Sequence, residues 1–247
     1  MSAGLRVTRD GAVLTLVIDR QDRRNALDTA TYAALTEQLA LASADTSVSA
    51  VILAGAGEHF TAGNDLRDFQ AERGAGDSAG LTFLRALTQA DVPVIAAVEG
   101  YAIGIGVTLL QHCDFVYIGE GATLLRMPFV ALGLCPEGAS SLLMPRLAGA
   151  RRAAEWLLQG KAFSAREACE AGLATAATAK GGALAAAQAT AASLAKQPPA
   201  ALRLTKAMLK RPERQAIQDT LDYEAQQFRA RLQTEEAQAA FAAFFKK

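Results

Sequence analysis

Two segments of the sequence repeat one arrangement, in which an apolar run leads through a glycine-rich turn into a helical pattern. The apolar runs AVILA, residues 50–54, and PVIAAV, residues 93–98, have the length and composition of buried strands. Glycines follow each run and predict a break in the chain before the next helix. A strand that passes through a turn into a helix, twice in succession, predicts an α/β fold.

The turn after the first strand lies in HFTAGNDLRDF, residues 59–69. Gly63 breaks the chain, Asn64 tolerates unusual backbone dihedrals, and Asp65 is a suitable cap for a helix through Phe69. The first N–H groups of a helix have no partner within it, so they face outward and suit an anion or a developing oxyanion. The alternative is an ordinary strand-to-helix turn with a capping aspartate.

The second turn is EGYAIGIG, residues 99–106, and a helix over residues 107–113 is predicted to follow it. Gly100, Gly104 and Gly106 do not have the G-x-G-x-x-G spacing of a dinucleotide-binding turn. Because the two turns belong to successive repeats, their exposed amides are predicted to converge on one oxygen atom, as in an oxyanion hole.

A single carboxylate, Glu137, lies in the otherwise apolar stretch MPFVALGLCPEGASSLL, residues 127–143. Pro136 and Gly138 flank it and predict a loop, and a loop between buried segments can hold a side chain in a low-dielectric cleft. Burial there raises the pKa of a glutamate toward neutrality and makes it a usable general base. The alternative is a solvated residue that favours the N-terminus of a helix over residues 139–147.

The other reactive side chains have weaker signals. His59 and His112 are the two histidines, and no ligand cluster accompanies either, so no metal site is predicted. Cys135 has no histidine in a recognisable motif beside it, so we interpret it as a small buried hydrophobe rather than a nucleophile.

Composition excludes several classes of function. The chain has 247 residues, of which 51% are hydrophobic, and this is enough for a sizeable core. Lys plus Arg equals Asp plus Glu at 25 each, so no basic surplus favours nucleic acid. No signal core or lipophilic span is present, so no membrane association is predicted. Three cysteines without a CxxC pair are typical of a reducing compartment, and we expect a cytoplasmic protein.

The remaining patterns predict one large domain with a helical appendage. Asp10-Gly11 predicts a hairpin at the start of the chain, and residues 70–80 are predicted to form a mobile loop. We divide the chain into a core over residues 1–196 and a C-terminal helical segment over residues 197–247.

Five blocks of the sequence resemble, in order and spacing, the crotonase (enoyl-CoA hydratase/isomerase) family. They are RRNALD (23–28), HFTAGNDLRDF (59–69), PVIAAVEGYAIGIGVTLLQHCDFVY (93–117), LGLCPEGASSLLMPRLAG (132–149) and FSAREACEAGL (163–173). The resemblance implies a crotonase-like spiral of ββα repeats with a helical C-terminal region, assembled as a homotrimer or hexamer. It also implies a coenzyme A thioester as substrate, with no separate cofactor.

In that family two backbone N–H groups stabilise a thioester enolate, and by motif position these belong to Asn64 and Ile105 here. The resemblance also implies a set of residues that bind the substrate or CoA: Arg24, Ala26, Ala62, Gly63, Asp65, Leu66 and Phe129. A basic residue near the C-terminus meets the CoA phosphates in the family, and the candidates are Lys206, Lys210, Lys246 and Lys247. A solvated basic tail is the alternative.

The sequence departs from the hydratases of the family at two positions. Where those enzymes place two glutamates that activate water, this chain has Thr108 and Phe129, and neither can act as a base. A glutamate in the PEG motif resembles the peroxisomal type of Δ3,Δ2-enoyl-CoA isomerase, whose catalytic position corresponds to Glu137. We therefore predict an isomerase that converts 3-enoyl-CoA to 2-trans-enoyl-CoA. The alternatives are hydration or hydrolysis of an acyl-CoA, and a non-catalytic acyl-CoA-binding protein.

The C-terminal segment has more apolar surface than isolated helices can bury. The residues concerned are Leu202, Met208, Leu221, Phe228, Leu232, Phe241, Phe244 and Phe245. A neighbouring subunit or the body of the core must cover them, and with the resemblance we expect a trimer or a pair of trimers. Sedimentation should then give three or six times the mass of the chain, and a monomer at micromolar concentration would contradict the assembly.

Overall fold

The computed structural model describes residues 4–67 and 76–245, without the side chains of Phe244 and Phe245. Several sequence predictions lie outside the described residues. They are the helix end at Phe69, the part of the predicted loop over residues 70–75, and the candidate phosphate contacts Lys246 and Lys247.

The described residues form two sheets. The strands in chain order are β1 (Leu5–Asp10), β2 (Val13–Ile18), β3 (Ala50–Gly55), β4 (Val94–Val98), β5 (Tyr101–Ile103), β6 (Phe115–Gly119), β7 (Leu124–Arg126) and β8 (Ala176–Thr178). The large sheet has the order β1-β2-β3-β4-β6-β8, and the small sheet pairs β5 with β7. The predicted hairpin is confirmed, since β1 and β2 pair antiparallel, whereas the other neighbours in both sheets run parallel.

Helices pack against both faces of the large sheet. In chain order they are α1 (Thr29–Ala44), α2 (Ala79–Gln89), α3 (Ile105–Thr108), α4 (Ser140–Ala148), α5 (Ala150–Leu157), α6 (Ala165–Glu170), α7 (Ala183–Leu194), α8 (Pro199–Lys210), α9 (Arg214–Leu232) and α10 (Glu235–Phe245). Alternate residues of β3 face opposite sides. Val51 and Leu53 belong to the main core, whereas Ala50 and Ile52 pack with the alanines of α7.

The spiral of ββα repeats implied by the resemblance is confirmed. In the second repeat β4 lies in the large sheet, β5 lies in the small sheet, and α3 follows. In the first repeat Thr61 takes the place of the second strand, because it forms a parallel bridge with Ala102 of β5. The sequence patterns missed β5 inside the predicted turn, and the helix after it begins at Ile105 rather than Val107.

Three cations anchor α8 to the core. Arg203 donates hydrogen bonds to four carbonyl groups at and after the C-terminal end of α1. Lys206 is 5% exposed, lies 2.8 Å from Asp114 and donates to the carbonyl of Val92 at 2.6 Å. Lys210 donates to the carbonyl of His112 at 3.1 Å. Because Lys206 is enclosed in this way, it is a structural residue rather than a contact for a solvated phosphate.

The core covers much of the apolar surface of the C-terminal helices. Leu221 and Phe228 of α9 and Phe241 of α10 are buried against it. Leu204, Met208 and Leu209 of α8 remain exposed in the single chain, at 62%, 65% and 75%. Their burial by a neighbouring subunit stays a prediction. Within the described part of the chain, no helix has both the length and the apolar character needed to cross a membrane.

We expect Lys206→Met to lower the free energy of unfolding by about 3 kcal/mol, because it leaves the carboxylate of Asp114 without its nearest cation. Urea denaturation followed by circular dichroism measures the change. Lys196 is exposed and is the matched control, since Lys196→Met should change the free energy by less than about 0.5 kcal/mol. Equal stability of the two variants would show that the buried ion pair does not anchor α8.

Candidate active site

A cavity of about 440 Å³ opens between the two glycine turns, α2 and α9. The residues that line it include Tyr32, Asn64, Ile105, Glu137, Leu221, Glu224 and Phe228. Both predicted oxyanion-hole residues and the predicted base therefore face one space, together with the apolar wall of α9.

Among the described residues, the backbone N–H groups of Asn64 and Ile105 are both free at this cavity. Neither donates a hydrogen bond to any acceptor in the part of the chain that the structure describes. Each follows a glycine with a left-handed backbone, Gly63 at φ 88° and Gly104 at φ 56°. That conformation favours glycine, and here it turns the next amide away from the preceding strand.

Close backbone contact brings the two turns together. The N–H of Thr61 donates to the carbonyl of Tyr101 at 2.8 Å, and the N–H of Ile103 donates to the carbonyl of Thr61 at 3.1 Å. A Cβ atom on Gly63 would lie 2.6 Å from the carbonyl oxygen of Ile103, which is too close for any other residue. The glycine therefore permits the approach as well as the turn.

The carboxylate of Glu137 accepts one hydrogen bond, from the hydroxyl of Thr108 at 2.5 Å. Gly138 lets the loop come this close, because a Cβ atom there would lie 2.9 Å from Thr108. The pKa of Glu137 is raised to about 8, mainly by burial and to a smaller extent by the nearby Glu224, against the opposing effect of the hydrogen bond from Thr108. Glu137 is thus neutral at neutral pH and becomes a base just above it.

The other acidic side chains at the cavity are held by partners. Asp65 lies 3.1 Å from Arg20, and Asp77 lies 2.7 Å from Arg85. Glu224 is the third, and its two oxygens accept hydrogen bonds from backbone N–H groups. Glu137, with a single hydroxyl donor, is the acid at this cavity that is best placed to exchange a proton.

The alternative that Glu137 favours the N-terminus of the following helix is wrong. Helix α4 begins at Ser140, and the side chain of Glu137 turns toward Thr108 instead of the first helical amides. Glu224 takes that position, since it accepts from the N–H groups of Ala139 at 2.6 Å and Ser141 at 2.9 Å. A residue far along the chain therefore stabilises the helix start.

The predicted binding residues lie mainly beside the cavity rather than in its wall. Residues 24–27 run parallel to residues 62–65, joined by hydrogen bonds from Ala62 to Arg24, from Leu27 to Gly63 and from Asp65 to Leu27. This pair of segments contains Arg24, Ala26, Ala62, Gly63 and Asp65, of which Asp65 lines the cavity. Leu66 follows directly and is half-buried. Their contact with CoA stays a prediction.

Phe129 packs against the second glycine turn. Its ring is 4% exposed and lies next to Gly104, 3.9 Å from where a Cβ atom would stand. It is not among the residues that line the cavity, and its contact with a substrate stays a prediction. Its apolar bulk therefore supports the turn that presents the N–H of Ile105.

The remaining reactive residues are inert in their surroundings. Burial raises the pKa of the Cys135 thiol, so it is not a thiolate nucleophile. Burial lowers the pKa of His112 to about 4, so the neutral ring donates to the carbonyl of Gly138 at 2.7 Å. His59 stacks on Tyr101 with ring centres 4.1 Å apart. The described residues contain no group of three potential metal ligands, and the absence of a metal stays a prediction.

The sequence patterns missed two residues of this site. Tyr32 is a buried residue of α1, and its hydroxyl donates to the side-chain oxygen of Asn64 at 2.5 Å. Glu224 was not singled out at all. Neither residue lies in a motif, and the helical spacing that places Tyr32 in the core does not show what its hydroxyl meets.

Comparison with known proteins places these features in one family. The sequence profile described as enoyl-CoA hydratase/isomerase matches residues 8–247. Among solved structures, the chain is similar to Pseudomonas aeruginosa OdaA, with 41% identity, a TM-score of 0.96 and complete coverage of both chains.

Two curated relatives have different activities. Enoyl-CoA delta isomerase 2 of Rattus norvegicus is 36% identical over 167 residues, which are 65% of this chain and 42% of the relative. Carnitinyl-CoA dehydratase of Salmonella enteritidis is 35% identical over 171 residues, which are 66% of this chain and 64% of the relative. The matched region thus covers less than half of the isomerase and less than two thirds of the dehydratase.

We expect Glu137→Gln to stabilise the fold, and increasingly so as the pH rises. The folded-state pKa is raised from 4.5 to about 8, so between these values the unfolded chain releases a proton that the folded chain retains. Stability is therefore lost as the pH rises through that range, and the glutamine variant avoids the loss. Urea denaturation of both proteins at about pH 5, 7 and 9 measures it. A difference that is the same at all three values would contradict the raised pKa.

Proposed function

The chain belongs to the enoyl-CoA hydratase/isomerase (crotonase) family, and we propose that it is a Δ3,Δ2-enoyl-CoA isomerase. The proposal depends on one observation: a single exchangeable carboxylate, Glu137, faces the same cavity as the two free amides of Asn64 and Ile105. The position next to it holds the hydroxyl of Thr108 rather than a second carboxylate.

The reaction needs one base and one oxyanion site. Glu137 removes a proton from C2 of a 3-enoyl thioester, and the C2–H electron pair moves into the conjugated system. The negative charge develops on the thioester oxygen, where the N–H groups of Asn64 and Ile105 donate to it. Glu137 then returns its proton to C4 on the same face, which leaves the double bond between C2 and C3. No atom is gained or lost.

The raised pKa of Glu137 suits this proton transfer. A base of ordinary carboxylate strength would hold the proton too weakly, whereas a pKa of about 8 brings it closer to the acidity of the thioester α-carbon. The apolar wall of Leu221 and Phe228 keeps the site poor in water, which maintains that pKa and protects the intermediate.

Hydration or dehydration is the second candidate, because carnitinyl-CoA dehydratase matches the chain at nearly the same identity as the isomerase. That chemistry requires a water to be positioned and activated at C3. The hydroxyl of Thr108 donates a hydrogen bond to Glu137. Thr108 and Glu137 together therefore offer one carboxylate, where a hydratase of the family uses two. The geometry therefore favours isomerisation.

The C-terminal helices belong to the proposed site as well as to the proposed assembly. Leu221, Glu224 and Phe228 of α9 form one wall of the cavity. The exposed Leu204 and Met208 of α8 support a contact with a neighbouring subunit, in agreement with a trimer or hexamer.

We expect the purified protein to convert 3-enoyl-CoA to 2-enoyl-CoA, seen as a gain in absorbance of the conjugated thioester. Glu137→Gln should lower kcat by about 10³-fold with little change in binding, because the amide cannot accept the proton. The wild-type kcat should rise with pH and level off above about pH 8, where the base is ionised.

Glu155→Gln is the matched control, since this glutamate is paired with Lys161 on the surface. It should leave kcat unchanged. Crotonyl-CoA, analysed by mass for 3-hydroxybutyryl-CoA, tests the second candidate in the same preparation. Efficient hydration would assign the dehydratase reaction instead, and near wild-type turnover by Glu137→Gln would remove Glu137 as the base.

A further inference from the structure

A second buried carboxylate, Glu224, lies at the same cavity and is not used by the chemistry described above. It belongs to α9 in the C-terminal segment and is 4% exposed. A charged group of this kind is costly to bury unless its surroundings compensate it, so its place requires a physical reason.

Both oxygens of Glu224 accept hydrogen bonds from the backbone. The N–H of Ala139 donates to Oε2 at 2.6 Å, and the N–H of Ser141 donates to Oε1 at 2.9 Å. An ionised carboxylate can accept at both oxygens, whereas a glutamine has one acceptor and would turn its NH₂ group toward the second N–H. The arrangement therefore requires the carboxylate in particular.

The turn that Glu224 binds is strained and carries the base. Gly138 and Ala139 both have left-handed backbones, at φ 71° and φ 59°, and a non-glycine residue adopts this conformation only at a cost. From the other side, Gln111 and His112 donate to the carbonyl of Gly138 at 2.8 and 2.7 Å. The turn after Glu137 is thus held from two directions.

The charge of Glu224 also reaches Glu137. Burial raises the pKa of Glu224 itself, and its hydrogen bonds with Ser141 and Ala139 lower it. In its ionised form Glu224 repels the charge on Glu137, which raises the pKa of Glu137. No cation forms an ion pair with Glu224 within the described residues.

The other titratable groups that the structure describes around this turn do not form an ion pair with the carboxylate of Glu224. Cys135 stays a thiol and His112 stays neutral. The charge of Lys210 acts on the pKa of His112, and the charge of Arg231 acts on the pKa of Cys135. The guanidinium of Arg231 also donates a hydrogen bond to the carbonyl of Gly133.

We propose that Glu224 is a positioning residue, which holds the Gly138–Ala139 turn through two amide hydrogen bonds and thereby directs the carboxylate of Glu137 at the cavity. The kinetic consequences of this proposal depend on the isomerase function proposed above. Its structural part concerns the titration of Glu137 and does not depend on which reaction the site performs.

Glu224→Gln and Glu224→Asp separate the two effects of this residue. The glutamine variant loses the charge and one amide hydrogen bond, whereas the aspartate variant retains the charge but is shorter by one methylene. Asp219→Asn is the matched control, because Asp219 lies on the same helix, is exposed, accepts a hydrogen bond from Gln215 of that helix and is not among the residues that line the cavity.

Infrared difference spectroscopy of the ligand-free protein measures the pKa of Glu137 directly. The carboxylic acid band that disappears in Glu137→Gln identifies the residue, and its loss on raising the pH gives the pKa. We expect Glu224→Gln to lower this pKa by about one unit, and Glu224→Asp and Asp219→Asn to leave it near the wild-type value. Thermal unfolding verifies that each variant is folded.

Turnover of 3-enoyl-CoA, measured above the pKa of Glu137, gives the second readout. Both Glu224 variants should lower kcat by about tenfold to a hundredfold with KM within about twofold, because a misplaced base reacts slowly while the substrate still binds. The control should match the wild type. A glutamine variant that leaves the titration and kcat unchanged, or is only less stable, overturns the proposal. If the wild type shows no turnover, the proposed function fails, and the infrared titration still decides the role of Glu224.

Discussion

The contact between Gly63 and the carbonyl of Ile103 is the constraint on which the rest of the site depends. The two repeats supply one free amide each, and these amides share a cavity because Thr61 pairs with β5 and brings the turns into contact. A side chain of any size at residue 63 would separate them. The spiral of repeats is thus what turns two ordinary strand-to-helix turns into one pair of donors.

The second requirement is a low dielectric around one acid. The described cavity contains four acidic side chains, and three of them are neutralised or satisfied by a guanidinium or by backbone amides. Glu137 has a single hydroxyl donor, so burial dominates and its pKa rises to about 8. Reactivity at this site therefore follows from the kind of partner that each acid has: Glu137 has a neutral hydroxyl donor, whereas Asp65 and Asp77 have a guanidinium and Glu224 has two backbone amides.

Local signals in the sequence are enough to predict the features of the site that depend on the local backbone conformation. Gly63 and Gly104 mark the turns, and the isolated acid between proline and glycine marks Glu137, because each imposes its conformation within a few residues. Glu224 has no such signal, since it lies 85 residues from the amide of Ala139 that it binds and looks like a solvated position on an amphipathic helix. The strand β5 was missed for a related reason: three residues between glycines form a strand through their partners, Thr61 and β7, rather than through their own pattern.

The docking of α9 completes the cavity after the sheets and the turns have been synthesised. The amides of Asn64 and Ile105 and the base at Glu137 are all synthesised before the helix that completes their cavity. A nascent chain that has folded its sheets still lacks the wall of Leu221 and Phe228, so water reaches Glu137 and its acidity returns toward that of a free carboxylate. The reactive state of the base therefore requires the docking of α9 as well as the folding of the sheets.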